Sequence, residues 1–261
     1  MAVSETRFRG IRLREDGPAA TITLDRPEKR NALSLELMQE VIEALRLAGE
    51  SPARAVVIEG AGPAFSAGHD LGEMIGREPA FYQELFDICT VMMETIHRLR
   101  QPVIAKVHGI ATAAGCQLVA ACDLAVAAEG TRFATPGVKI GLFCSTPMVP
   151  VSRAVGRKRA LELLLTGEPI DAETALDWGL VNRVVPADRL DEAVAELVAA
   201  IVRSSAATVS LGKRAFYDQI DLDESGAYDL TKDVMASNSQ TVDAQEGMSA
   251  FLEKRRPTWS E

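Results

Sequence analysis

Three short apolar runs most constrain this chain: AVVIEG at 55–60, PVIAKVHG at 102–109 and DLAVAAEG at 123–130. Such runs suit strands buried on both faces, which need helices covering the sheet from both sides. Helical patterns alternate with them: AFYQELFDICTVMMETIHRLR follows the first, and the apolar stretch around CQLVAAC follows the second. Repeated strand-then-helix units predict an α/β fold. Upstream, IRLRED and ATITLDRP read as two strands joined at Gly17-Pro18, and SLELMQEVIEALRLAGE reads as a helix capped by Ser34. TRFATP repeats the strand signal, and from Pro147 onward the pattern is nearly all helical. The strand signal has stopped by Ala187. The expected organisation is therefore a core over 1–187 and a helical C-terminal region over 188–261.

Charge narrows the partners. The 37 acidic residues exceed the 28 basic ones, for a formal net charge of −9 over 261 residues. No general basic field would recruit nucleic acid or an anionic membrane surface, although a local basic pocket could still hold one small anion. The cysteines, Cys89, Cys116, Cys122 and Cys144, form no CxxC pair, and no histidine stands at metal-ligand spacing. Free thiols in a reducing compartment and no metal are expected. No apolar run approaches a membrane span. MAVSETRFRG lacks the apolar core of a secretory signal and is short for a transit peptide, so a cytoplasmic protein is expected.

Two segments carry chemistry. In PAFSAGHDLGEM the small residues Ser66, Ala67 and Gly68 let a ligand approach the backbone, and the N–H of His69 follows the turn. In TAAGCQL, Ala113, Ala114 and Gly115 place N–H groups at a helix start, where negative charge is favoured. Either segment alone reads as an ordinary turn into a helix. Two N–H groups that converge make an oxyanion hole.

PAFSAGHDL, VIAKVHGIATAAGCQLVAACDLAVA, LLLTGEPIDAETALDWGLVNRVVP and EGMSAFLEKR resemble the crotonase superfamily, the enoyl-CoA hydratases and isomerases. The likeness runs in order over nearly the whole chain. FATPGVKIGLFCSTP and SAGHDL resemble its enoyl-CoA hydratase domain-containing branch. The resemblance implies a ClpP-like spiral of ββα units with a C-terminal helical trimerisation region. It also implies an acyl-CoA thioester as substrate, and a homotrimer or a hexamer formed by two trimers. Coenzyme A then enters with the substrate, and no separate cofactor is expected.

The resemblance maps the oxyanion N–H groups onto His69 and Ala114. It maps the two hydratase glutamates onto Gln117 and Gly137. An amide can orient water but does not titrate near neutral pH, and glycine offers no side chain. Hydration is therefore not expected, because it needs groups that move protons. The single-carboxylate isomerase base also maps to Gly137, and the additional acid of the dienoyl isomerases falls near Ser145. Cys144 and Ser145 remain as polar candidates facing the acyl group. A related decarboxylase has a SAGHD-like turn and no glutamate pair, and there the oxyanion hole stabilises an enolate.

For coenzyme A, LDRPEKRNALS resembles the nucleotide-holding segment, with backbone near Asn31 and Ala32 and phosphate charge from Arg26, Lys29 and Arg30. Ala67, Asp70 and Leu71 belong to the same expected surface, and Phe251 and Lys254 would reach the CoA site of a neighbouring subunit. His97 is expected to be solvated and His108 packed at a strand end. The leading expectation is an enzyme with an enolate-type thioester step. The alternatives are a decarboxylase-like enzyme or a non-catalytic acyl-CoA-binding protein. Glutamate at both 117 and 137 is expected to create hydratase activity.

Overall fold

The computed structural model describes residues 4–260, so the first three residues of the segment read for a signal lie outside it. The strands are β1 (Ser4–Arg7), β2 (Ile11–Asp16), β3 (Ala19–Leu24), β4 (Ala55–Gly60) and β5 (Val103–Val107). After them come β6 (Ile110–Thr112), β7 (Leu124–Ala128), β8 (Arg132–Ala134), β9 (Ile170–Asp171) and β10 (Arg183–Val185). The first helices are α1 (Leu35–Glu50), α2 (Leu71–Met74), α3 (Pro79–Arg98) and α4 (Ala114–Ala121). They are followed by α5 (Met148–Val155), α6 (Arg157–Thr166) and α7 (Ala172–Trp178). The C-terminal helices are α8 (Leu190–Val202), α9 (Ala206–Gln219), α10 (Glu224–Ser239) and α11 (Val242–Leu252).

The apolar runs behave as their composition dictates. They are inner strands of a seven-stranded sheet in the order β1-β2-β3-β4-β5-β7-β10, parallel from β3 to β10. Alternate side chains enter two different cores, as the period of two requires. Val56, Ile58, Val103, Ala105 and Ala127 pack with α1, α3 and α4 on one face. Ala55, Val57, Ile104 and Val126 pack against Leu190, Val194 and Val198 of α8 on the other. Ser34 caps α1 as expected, its side chain accepting from the Leu37 N–H at 3.2 Å.

A second sheet, β6-β8-β9, stands beside the first. Each circuit of the chain adds one strand to each sheet and then a helix: β5, β6, α4, and then β7, β8, α5. The earlier circuit does the same with β4, with Ser66, which bridges to Ala111 of β6, and with α2 and α3. This is the expected ββα spiral. The strands that sequence reading omitted, β1, β6, β9 and β10, span two to four residues. Such lengths are too short to display a period.

One expectation is corrected on α3. His97 is not solvated. It stacks on Tyr217 of α9 at 4.0 Å, and its Nε2 meets the Ala121 carbonyl at 3.0 Å. Burial holds its pKa below the ordinary imidazole value. His108 stands at the end of β5, as expected, with Nε2 2.7 Å from the Gly62 carbonyl. No single helix among the described residues is long and apolar enough to cross a membrane.

Candidate active site

The two small-residue turns meet. Ala67 N–H donates to the Arg30 carbonyl at 2.9 Å, Leu33 N–H to Gly68 at 2.7 Å, and Asp70 N–H to Leu33 at 3.1 Å. The turn over 66–70 is thereby bound along the segment 30–33. The side chain of Asn31 fixes that segment. Its Nδ2 donates to the carbonyls of Ala61 and Ala64 at 2.9 and 2.8 Å, and its Oδ1 accepts from Arg26 N–H at 2.9 Å. The segment's backbone also turns there, with φ of 51° at Arg30 and 53° at Asn31.

The second turn presses on the first only because side chains are missing. A Cβ on Gly68 would stand 2.8 Å from the Ala113 Cβ and 3.1 Å from the Ala114 nitrogen, and the residue has φ +86°. A Cβ on Gly115 would stand 2.4 Å from the Ser66 carbonyl oxygen. Ala113 has φ 50° and ψ −118°, a costly conformation for a residue with a side chain. Its N–H is tied to the Ala134 carbonyl at 2.9 Å, and the twist starts α4 at Ala114. Among the described residues, neither the His69 N–H nor the Ala114 N–H has an acceptor.

Both residues line one cavity of about 440 Å³. Its wall is mostly apolar and includes Leu71, Phe86, Pro136, Ile140, Leu142 and Phe143. Ala67, Gly137, Cys144 and Ser145 also reach it, and it contains no carboxylate among the described residues. Burial pushes the His69 imidazole down to about 4, so the ring is neutral at physiological pH. Burial pushes the Cys144 thiol up, which leaves little thiolate for nucleophilic attack. Ser145 Oγ turns to the Phe143 carbonyl at 3.4 Å.

The two positions that resemble the glutamates are separated. Gln117 is buried, with Oε1 3.7 Å from Cys89 Sγ, and it lines a different cavity of about 670 Å³ against α9. The two cavities share Thr146 in their walls. At Gly137 a Cβ would stand 1.9 Å from the Leu142 carbonyl oxygen and 2.8 Å from Cys144 Sγ. The loop folds back so tightly because Leu142 N–H donates to the Gly137 carbonyl at 2.9 Å. The expectation that glutamate fits at 137 is therefore corrected: backbone already fills that space.

A second, polar cavity of about 430 Å³ opens on the other side of the same turn, for Asp70 lines it and Leu71 lines the apolar one. Arg9, Arg26, Lys29 and Arg77 share its wall with the carboxylates of Glu36, Glu40, Asp70 and Glu73, and Arg9 is paired with Glu36 at 2.8 Å. Asp70 accepts from Lys29 Nζ at 2.8 Å and lies 3.6 Å from Arg26, and the Lys29 bond holds its carboxyl below the usual carboxylate range. Arg26 and Lys29 belong to the basic turn noted in the sequence, whereas Arg9 and Arg77 reach the cavity from outside that motif. Arg30 is exposed and contributes its backbone carbonyl to the turn. Ala32 is buried beside it, with its N–H bonded to Lys29. Phe251 and Lys254 are exposed at the end of α11, and neither lines these cavities.

Known proteins share this architecture. The family model for enoyl-CoA hydratase/isomerase matches residues 15–261. The mitochondrial enoyl-CoA hydratase domain-containing protein 3 of Rattus norvegicus is 46% identical over 259 residues, which is 98% of this chain and 86% of that protein. The crystal structure of the human enoyl coenzyme A hydratase domain-containing protein 3 has a TM-score of 0.93 at 45% identity, covering 96% of this chain and all of that one. An enoyl-CoA hydratase structure from Mycobacterium smegmatis has a TM-score of 0.91 at 48% identity, covering 98% of each chain. This chain belongs to the enoyl-CoA hydratase/isomerase family. The relatives also overturn the expectation of a cytoplasmic protein, because the rat, human and Xenopus laevis proteins are named mitochondrial.

Proposed function

We propose that this family member binds an acyl-CoA thioester with its carbonyl oxygen on the His69 and Ala114 N–H groups, and stabilises the enolate formed there. The observation that carries this reading is the contact of the two turns across Gly68 and Gly115, with both N–H groups lacking an acceptor at the wall of one cavity. When a bond to the α-carbon breaks, its electron pair moves towards the carbonyl oxygen. Two fixed donors then strengthen as charge develops, and each is worth about 3–4 kcal/mol in comparable sites. Arg26 and Lys29, both paired with Asp70 in the polar cavity, would exchange that carboxylate for the phosphates of coenzyme A.

The cavity has no carboxylate to deprotonate water. Substrates whose α-bond breaks without a strong base, as in decarboxylation, suit it better than enoyl esters awaiting hydration. The same poverty in proton-moving groups favours a second reading, a protein that binds acyl-CoA without transforming it. Calorimetry with acetyl-CoA and a longer acyl-CoA is expected to show saturable binding, while crotonyl-CoA stays unhydrated. Absence of heat with every thioester would refute the reading. Mass spectrometry after incubation with a panel of acyl-CoA thioesters separates the enzyme from the binder.

The same reading extends to assembly. Phe216, Ile220, Tyr228, Met235 and Phe251 on the C-terminal helices are half or more exposed, from 50% to 83%. Large apolar side chains exposed on these helices suit an interaction surface where they adjoin. A trimer or hexamer, in which Phe251 and Lys254 approach a neighbour's CoA site, would cover it. Light scattering after gel filtration is expected to give three or six chains, and a clean monomer would contradict this.

A further inference from the structure

We propose that residues 255–260 form a latch on α11, and that the latched helix sets how Phe251 and Lys254 meet the coenzyme A site of a neighbouring subunit. The inference deepens the assembly reading above and rests on it. Apolar burial within the chain does little to hold α11. Of its 11 residues only Asp243 and Ala250 are buried, so a single methyl group is its buried apolar anchor. A helix of this length is marginal on its own in water. Polar contacts from the segment that follows supply what is missing.

The chain reverses at Lys254, a residue with a side chain held at φ 55°. Arg255 N–H then donates to the Ala250 carbonyl at 3.0 Å, and the segment runs back along α11. The Arg255 guanidinium donates to both Glu246 carboxylate oxygens at 2.6 and 2.8 Å, and Thr258 N–H donates to Glu246 Oε1 at 2.7 Å. The Trp259 ring lies against Gly247, where a Cβ would stand 3.3 Å from the indole Cη2. Glycine is a poor helix former, but its missing side chain leaves room for that ring. Ser260 reaches the first turn of α11, its N–H and Oγ both donating to Asp243 Oδ1 at 2.7 and 2.8 Å. The same contacts fasten the helix to the body. Asp243 Oδ2 accepts from the hydroxyl of Ser205, the cap of α9, and Trp259 Nε1 donates to the Arg203 carbonyl at 2.8 Å. Asp243 thus joins α11, the corner between α8 and α9, and the returning segment. Phe251 and Lys254 stand exposed at the reversal itself, so their placement depends on the latch.

Hydrogen exchange read by mass spectrometry on the whole chain tests the latch, and calorimetry with acetyl-CoA tests its consequence. Trp259→Ala changes nothing within α11. It should speed exchange over 242–252 by roughly tenfold or more, the effect of at least one lost hydrogen bond on a local opening, and leave β4, β5 and β7 unchanged. Gly247→Leu gives a check of opposite sign. Leucine is the better helix former, so exchange in α11 would slow if the helix stood by itself. With the indole displaced from the latch, exchange should speed instead. Unchanged exchange in Trp259→Ala, or slower exchange in Gly247→Leu, would overturn the latch. Acetyl-CoA affinity should fall about threefold in both variants, because α11 would be in place in only a minority of chains. A loosened α11 with undiminished affinity would overturn its role at the coenzyme A site. A wild type that binds no acetyl-CoA would overturn the thioester reading instead, and the exchange comparison would still decide the latch.

Discussion

Installing the missing carboxylates, Gln117→Glu together with Gly137→Glu, is expected to yield a severely destabilised protein with no hydratase activity. The first new atom at 137 would lie 1.9 Å from the Leu142 carbonyl oxygen. That oxygen cannot simply retreat, because the same residue's N–H is bonded to the Gly137 carbonyl at 2.9 Å. The loop over 138–144 would have to open. Its opening would expose Cys144, which is only 7% accessible, and disturb the cavity wall formed by Leu142 and Phe143. The second glutamate would replace an amide that is 3% accessible, with Cys89 Sγ as its neighbour, and a carboxylate there would be charged only at a cost. Together these exceed about 4 kcal/mol, a large part of the 5–15 kcal/mol that holds a typical domain together. Urea unfolding and crotonyl-CoA hydration check both halves. Gln117→Glu alone should fold with a smaller loss and remain inactive. A folded double variant that hydrates crotonyl-CoA would show that the loop yields.

That outcome marks where sequence reading reaches its limit. The family resemblance identified Gly137 as the counterpart of a glutamate, and the matching spacing carried the assumption that glutamate would fit. What forbids it is a carbonyl five residues away, brought back by a loop whose path no periodicity reports. The turns at Gly68 and Gly115 were more legible. Small residues beside a strand end and a helix start already implied close backbone approach, and the structure supplies the partners, Ala113 and Ser66. The inner strands were legible because burial on two faces leaves a continuous apolar run. Asn31 was legible only as part of a basic turn. Its role comes from two carbonyls thirty or more positions away, at Ala61 and Ala64.

Lys213→Met is expected to cost about 3–5 kcal/mol, because it breaks a buried ion pair and leaves one charge uncompensated. Nothing in TVSLGKRAFYDQI distinguishes this lysine from a solvated one, yet its side chain is 6% accessible. Its Nζ lies 2.6 Å from Asp123 Oδ2 and donates to the carbonyls of Ile96 and Gln101 at 2.7 and 2.9 Å. The pair joins α9 to the end of α3 and to the residue before β7. Tyr217, one turn further along α9, donates to Asp123 Oδ1 at 2.7 Å and stacks on His97. Removing the ammonium strands the carboxylate with two neutral donors, Tyr217 and the Val103 N–H at 2.6 Å. It also orphans two carbonyls. Adding Asp123→Leu should recover part of the loss by removing the stranded charge, but not all of it, since Val103 N–H then loses its acceptor. Denaturant midpoints of the two single variants and the double variant measure the coupling. Strict additivity would mean that Lys213 and Asp123 act independently, and that α9 is held in place by its apolar contacts alone. A coupling that accounts for most of the single-variant loss would show that one ion pair fastens the C-terminal helices beside the cavity that Gln117 lines.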